Sequence, residues 1–187
     1  MQFDEIDRQI SKELFENGRI SLTALNKKIF KTENEMMSHT GIKKRIIKLR
    51  RSKALKIQGN LNIKKLNYKM MFILLEMQNY EKSKEIIQAY SKCPRIFFLA
   101  QISGQYNVIM GIVGQSIDVL HRFINYCGPS NKEGILHSQT LFVSEVETPQ
   151  FFPLNLFSQE SQESICENVC KDCEAFLDGK CEGCGKF

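Results

Sequence analysis

The chain has 187 residues, 42% hydrophobic and 25% charged, the balance of an ordinary globular protein of one large or two small domains, which excludes global disorder. Its longest apolar runs, Met70–Leu75 and Ile96–Ala100, are far shorter than a membrane span. The N-terminus is charged within four residues and lacks a secretory pattern, so a cytoplasmic protein with no membrane partner is expected. The net charge of +5 conceals an asymmetry: residues 1–69 hold 17 Lys+Arg against 7 Asp+Glu, net +10, and residues 70–187 hold 9 against 14, net −5. A positive field confined to the first third points to a polyanion partner for that third.

In chain order, Asp4–Phe15 places Ile6, Ile10, Leu14 and Phe15 at helical spacing. Gly18 stops this helix and Ser21 can cap the next, a short one carrying Leu22, Leu25 and Ile29. Lys31–Met37 is polar and aperiodic and reads as a turn or loop. A third helix starts at about Thr40, with Ile42, Ile46, Ile47 and Leu49 as its buried stripe. Three short helices of this kind predict a three-helix, winged helix-turn-helix domain over residues 1–54. Leu55–Asn67 alternates loosely around Gly59 and reads as a small hairpin or extended linker, with the linker assigned to 55–68 and the domain boundary near Tyr68.

The second half predicts a strand over Met70–Met77 and a helix over Tyr80–Tyr90 with Ile86 and Ile87 inward. Two strands follow, Ile96–Ile102 and Val108–Val113, joined through Gly104–Gln105–Tyr106. A helix over Ser116–Tyr126 shows Ile117, Leu120, Phe123 and Ile124 on one face, and a last strand runs from Ile135 to Val146, toward Phe151. The order βαββαβ predicts a ferredoxin-like domain over residues 69–152, and the fold class as a whole is α+β. One face of such a sheet is free of helices, and its economical cover is a second copy, giving a homodimer or higher even oligomer. Residues 153–164 read as a linker and 165–187 as a small cysteine-rich unit, too short for a core of its own.

Between Ser38 and Lys56 lie eight basic residues (Lys43, Lys44, Arg45, Lys48, Arg50, Arg51, Lys53, Lys56) and no Asp or Glu. A merely solvated helix would intersperse acids for i,i+4 pairing. Their absence favours phosphate contact in double-stranded DNA, with Lys48 and Arg51 among the contacting residues. Asp4–Ser21, DEIDRQISKELFENGRIS, resembles the opening of Lrp/AsnC (leucine-responsive/asparagine-operon) regulators, and Ser38–Leu49, SHTGIKKRIIKL, is similar to that family's recognition helix. The resemblance implies DNA-facing positions for Thr40, Lys43, Lys44 and Arg45. Cys93–Pro94 and QISGQYNVIMGIV resemble the family's effector domain, which implies a loop of Gly104, Tyr106 and Asn107 lining a pocket for an amino-acid-like effector. The plainer reading of that loop is a set of turn residues. Together these motifs span roughly residues 3–150 and imply a sequence-specific transcriptional regulator. The chain departs from the family pattern in three places. The segment between Ile29 and Ile42 is longer, Gly41 stands where Thr is common, and Asn107 replaces an Asp. His39, His121 and His137 share no ligand spacing, and no nucleophile–base set, Walker loop or carboxylate pair occurs, so no enzymatic activity is expected.

Five of the seven cysteines follow the spacing Cys166-x3-Cys170-x2-Cys173-x7-Cys181-x2-Cys184. Two Cys-x-x-Cys pairs can converge four thiolates on one ion, so Cys170, Cys173, Cys181 and Cys184 read as a metal site with Cys166 as an alternate or fifth thiol. Zinc is the leading metal and an iron–sulfur cluster the alternative; unligated thiols are the plain reading. This cluster also supports a different class of protein, a thiol- or metal-based redox protein without specific DNA binding. Steep loss of duplex affinity with salt distinguishes a regulator from it.

Overall fold

A computed structural model of the chain describes residues 3–32, 35–129, 132–154 and 172–178. The chain divides into two units, Met1–Gly59 and Asn60–Phe187.

In the first unit, α1 (Glu5–Glu16) begins at a capping box. The Asp4 carboxylate accepts the Asp7 N–H at 2.9 Å, and the Asp7 carboxylate accepts the Asp4 N–H at 3.4 Å. Ser21 Oγ accepts the Ala24 N–H at 3.1 Å and starts α2 (Leu22–Asn26). Ser38 Oγ likewise accepts the Gly41 N–H at 3.1 Å and starts α3 (His39–Arg51), which a positive φ of 58° at Lys53 closes two residues beyond its end. Ile10, Leu14, Leu25, Ile29, Ile42 and Leu49 form the core, with Ile6, Ile46 and Leu55 packed around it. Each fully buried aliphatic side chain of this kind contributes about 1.5–3 kcal/mol of burial free energy. Two residues of the expected apolar stripes are not in it. Phe15 is 88% exposed and Ile47 38% exposed, because both fall one position past the inward arc of their helices.

Lys31–Met37 is not a plain loop. Phe30–Thr32 (β1) and Glu35–Met36 (β2) pair antiparallel, Phe30 opposite Met36, directly ahead of α3. The stretch Leu55–Asn67 does not fold on itself either. It supplies one short strand, β3 (Leu61–Asn62), which pairs with β8 (Phe151–Phe152).

The second unit holds a four-stranded antiparallel sheet of β4 (Lys69–Met77), β5 (Ile96–Gln101), β6 (Val108–Gly114) and β7 (Ile135–Phe142), in the order β5-β6-β4-β7. Helices α4 (Tyr80–Tyr90) and α5 (Ile117–Arg122) connect the strands, and α5 runs on through a π-helical turn over Phe123–Cys127. This is the expected βαββαβ order. The last strand ends at Phe142, short of Val146. Alternation along β4 decides the two faces. Met71, Ile73, Leu75 and Met77 join Val108, Met110, Ile112, Ile86, Tyr90, Leu120 and Phe123 in the core under the helices. Ile117, expected on the buried face of α5, is exposed at its first turn. Phe72, Leu74 and Glu76 point to the other face, where their cross-strand partners are Leu141, Gln139 and His137 on β7.

One end of that helix-free face is covered from within the chain by Ile63, Phe152 and Leu154, packed on Met70 and Val113. Phe97 stands edge-on to both Phe72 and Phe152, with ring centroids at 5.8 and 5.4 Å. Gly111 makes this stack feasible. A Cβ there would lie 2.6 Å from Phe97 Cζ and 3.0 Å from Phe72 Cε1, so the glycine is a matter of space.

In the C-terminal part, Glu174–Leu177 forms the short helix α6. Of the proposed metal ligands only Cys173 lies among the described residues; Cys166, Cys170, Cys181 and Cys184 lie outside them. Among the described residues, no helix is long and apolar enough to cross a membrane.

Candidate nucleic-acid interface

Helix α3 carries two opposed faces. Ile42, Ile46 and Leu49, at i, i+4 and i+7, face the core. Thr40, Lys43, Lys44, Ile47, Lys48 and Arg51 follow the i, i+3, i+4, i+7, i+8, i+11 progression on the outer side, and all six are exposed. Among the described residues, no carboxylate pairs with Lys43, Lys44, Lys48 or Arg51. The ion pairs on this helix, among the described residues, are those of Arg45. The outer face is therefore a ribbon of cations that make no ion pair with a described carboxylate, with one aliphatic side chain, Ile47, at its middle. Lys44, Ile47, Lys48, Arg51 and Ser52 line a shallow depression along it. Lys48, Arg50 and Arg51 also sit in the last turn, where the helix dipole favours positive charge, so the helix tolerates this basic run without acids.

Arg45 departs from the expectation of a DNA-facing side chain. It lies three residues after Ile42 and four before Leu49, on the inner half of α3. Its Nη1 donates to Asp4 Oδ2 at 2.5 Å and to Asp7 Oδ1 at 2.9 Å. The Arg45 side chain is 27% exposed and that of Asp7 2%. The guanidinium, bonded to the Asp4 carboxylate, holds it below the ordinary carboxylate range, and the Asp7 N–H adds to this. The same bonds, from Asp4 first and then Asp7, raise the Arg45 pKa. Arg45 is a positioning residue that ties α3 to the start of α1.

The segment that enters α3 is also tied down. Gln9 of α1 accepts the Phe30 N–H at 3.0 Å and donates to the Phe30 carbonyl at 3.4 Å. The Met37 N–H bonds the Ile29 carbonyl at 2.8 Å, and Asn26 Nδ2 donates to the Met37 carbonyl. The longer connection between Ile29 and Ile42 thus carries a strand pair whose flanking backbone is tied to α1 and α2. Gly41, in the first turn of α3, donates its N–H to the cap, and a Cβ at this position would meet the Met37 Cε at 2.5 Å. Charge counting and periodicity pass over Asp4, Asp7, Gln9 and Asn26. Only the Asp-x-x-Asp spacing at the α1 start signals any of them.

In the second unit, Gly104, Tyr106 and Asn107 do share one turn between β5 and β6, with Gly104 at φ +147°. Asn107, however, is already engaged at both ends of its amide. Its Oδ1 accepts the Met77 N–H at 2.8 Å, and its Nδ2 donates to the Met77 carbonyl at 3.0 Å. Its backbone N–H bonds the Leu75 carbonyl at 2.9 Å, and its carbonyl accepts the Ile102 N–H at 3.0 Å. The residue continues the β4–β6 ladder by one step, which corrects its expected role as an effector ligand. An Asp could accept from Met77 but could not donate to its carbonyl.

No family model matches the chain. Over 126 residues it is 24% identical to an uncharacterised HTH-type transcriptional regulator of Pyrococcus horikoshii and 25% identical to one of Pyrococcus abyssi, covering 66% of this chain and 75% of each relative. Among solved structures, E. coli AsnC matches with a TM-score of 0.65 at 19% identity, over 80% of this chain and 99% of its own. B. subtilis LrpC matches at 0.59 and 25% identity, over 80% and 100%. A transcriptional regulator of Neisseria meningitidis, solved as a complex with L-Met, matches at 0.63 and 17% identity, over 77% and 91%. The two-unit order, the basic outer face of α3 and these likenesses agree: the chain is a helix-turn-helix transcriptional regulator with the fold of the solved AsnC and LrpC structures.

Proposed function

We propose that the chain recognises a specific duplex DNA site by laying the outer face of α3 in the major groove. The carrying observation is the face itself, where Lys43, Lys44, Lys48 and Arg51 stand exposed, with no ion pair to a described residue, opposite the buried Ile42 and Leu49. Lysines and arginines so placed supply phosphate contacts, and an Arg or Lys near the helix start can read guanine edges bidentately. Ile47 can meet a thymine methyl between them. Such a helix reads about four base pairs, too few for a useful address, so a second copy has to supply a second half-site.

The second copy would sit on the uncovered end of the helix-free sheet face, where Phe98 and Leu141 are exposed beside Phe72 and Leu74. An amino-acid-like effector is supported by the Neisseria regulator solved with L-Met. Here it would meet Gly104 and Tyr106, because the Asn107 amide is committed to Met77. The test is selection of bound sites from a random duplex pool by the full-length protein. A roughly palindromic sequence with half-sites about one helical turn apart is expected. No enrichment over the starting pool would overturn the proposal.

A further inference from the structure

We infer that the C-terminal residues 166–187 hold a structural zinc ion through four cysteine thiolates, Cys170, Cys173, Cys181 and Cys184. The inference stands apart from DNA recognition and from the effector turn. It starts from the spacing of two Cys-x-x-Cys pairs separated by seven residues. A Cys-x-x-Cys pair can place two sulfurs on one ion, and two pairs complete a tetrahedron, the coordination zinc takes in closed structural sites.

The linking segment carries the second observation. The Cys173 carbonyl accepts the N–H groups of Phe176 and Leu177 at 3.0 and 2.9 Å, and the Asp178 N–H bonds the Glu174 carbonyl at 2.8 Å. Residues 174–177 are therefore one helical turn that starts at the second cysteine of the first pair. A helical residue advances the chain by about 1.5 Å, against about 3.3 Å when extended. Four of the seven residues between the pairs are therefore wound into a turn, which shortens that part of the step. The turn is amphipathic for its size, with Phe176 half-buried and Glu174 and Asp178 exposed. Gly179, Gly183 and Gly185 flank the second pair in sequence, and residues without Cβ suit the tight backbone turns that metal knuckles require.

The remaining cysteines do not compete for the ion. Cys93 is buried in the core of the ferredoxin-like unit and Cys127 is packed against that core. Cys166 lies four positions before Cys170, outside both Cys-x-x-Cys pairs, and the fourfold site is complete without it. A stretch of 22 residues cannot bury a core of its own, and an ion held by thiolates stabilises a unit of this size directly.

The test is metal analysis of the full-length protein purified anaerobically without chelators, beside two variants. The expected result is about one zinc per chain with no visible absorbance, retained by Cys166→Ser and lost by the double variant Cys181→Ser, Cys184→Ser. The far-UV spectrum of that double variant should keep the helix and sheet signal of residues 1–154, so its loss of zinc reports the site and not a failed fold. Iron with acid-labile sulfide and visible colour would overturn zinc in favour of a cluster. Less than about a tenth of an equivalent of any metal would overturn the site, and zinc unchanged in the double variant would place the ion elsewhere.

Discussion

Replacing Arg45 by Ala should unfold the helix-turn-helix unit more easily and should not act first on DNA contact. The Asp7 side chain is 2% exposed, and without Arg45 its carboxylate keeps only the Asp4 N–H at 3.4 Å. Breaking a fully buried ion pair from one side costs about 3–5 kcal/mol, and an exposed pair contributes about 0–1 kcal/mol. Arg45 is 27% exposed and its second partner, Asp4, about half exposed, so the expected loss is about 2–3 kcal/mol. Adding Asp7→Asn should recover about 1 kcal/mol of it, because the orphaned charge is then gone. The assay is urea unfolding of the full chain followed by the helical circular dichroism signal, with duplex affinity measured where every variant is folded. A variant within about 0.5 kcal/mol of the parent in stability but about tenfold weaker on DNA would refute the assignment and return Arg45 to the interface.

The same ion pair makes the unit acid-sensitive. The folded pKa of Asp4 lies below its unfolded value, so its stabilisation is full above the ordinary carboxylate range and lost as pH falls through the depressed folded value. Urea midpoints across that range should drop in the parent and flatten in Arg45→Ala. Asn107→Asp turns a donor toward the Met77 carbonyl into a second acceptor, and should lower the stability of the ferredoxin-like unit by about 1–3 kcal/mol in thermal unfolding at neutral pH. An unchanged midpoint would mean that the Asn107–Met77 bonds contribute nothing. Phe98→Glu on the uncovered sheet face should leave the fold intact and yield a monomer by light scattering; a dimer at micromolar concentration would move the interface off this face.

Where a segment repeats its apolar residues over several turns or strand positions, the sequence reports its structure. The βαββαβ order follows from such repeats, and α3 announced itself through a basic run with an apolar counterface. Pieces held by only one or two residues were illegible. Strand β3 is Leu61–Asn62 and its partner β8 is Phe151–Phe152, distant in sequence, and two residues carry no alternation. The β1–β2 pair is five residues in all, and Gln9 and Asn26 side chains tie the backbone of Phe30 and Met37, bonds that hydropathy does not register. Arg45 was misplaced because its DNA-facing position was taken from the family resemblance and its angle on the helix was not weighed. Its position between Ile42 and Leu49, with Asp4 and Asp7 available on α1, marks the inner face. Ile47 was the converse error, an apolar side chain assigned to the core although its angle on the helix points outward. Asn107 looked like a substituted ligand and is a backbone clamp, a role that needs both ends of an amide.

The central claim is that the outer face of α3 meets the DNA backbone and bases, and the salt dependence of duplex affinity tests it most directly. Each phosphate neutralised releases counterions, so the logarithm of the affinity should fall linearly with the logarithm of salt concentration, with a slope of about −0.9 per contact. The parent should show a steep slope, and Lys43→Ala, Lys44→Ala and Lys48→Ala should each make it shallower by about one unit where the lysine meets a phosphate. A slope near zero in the parent, or one that none of these substitutions changes, would contradict the account.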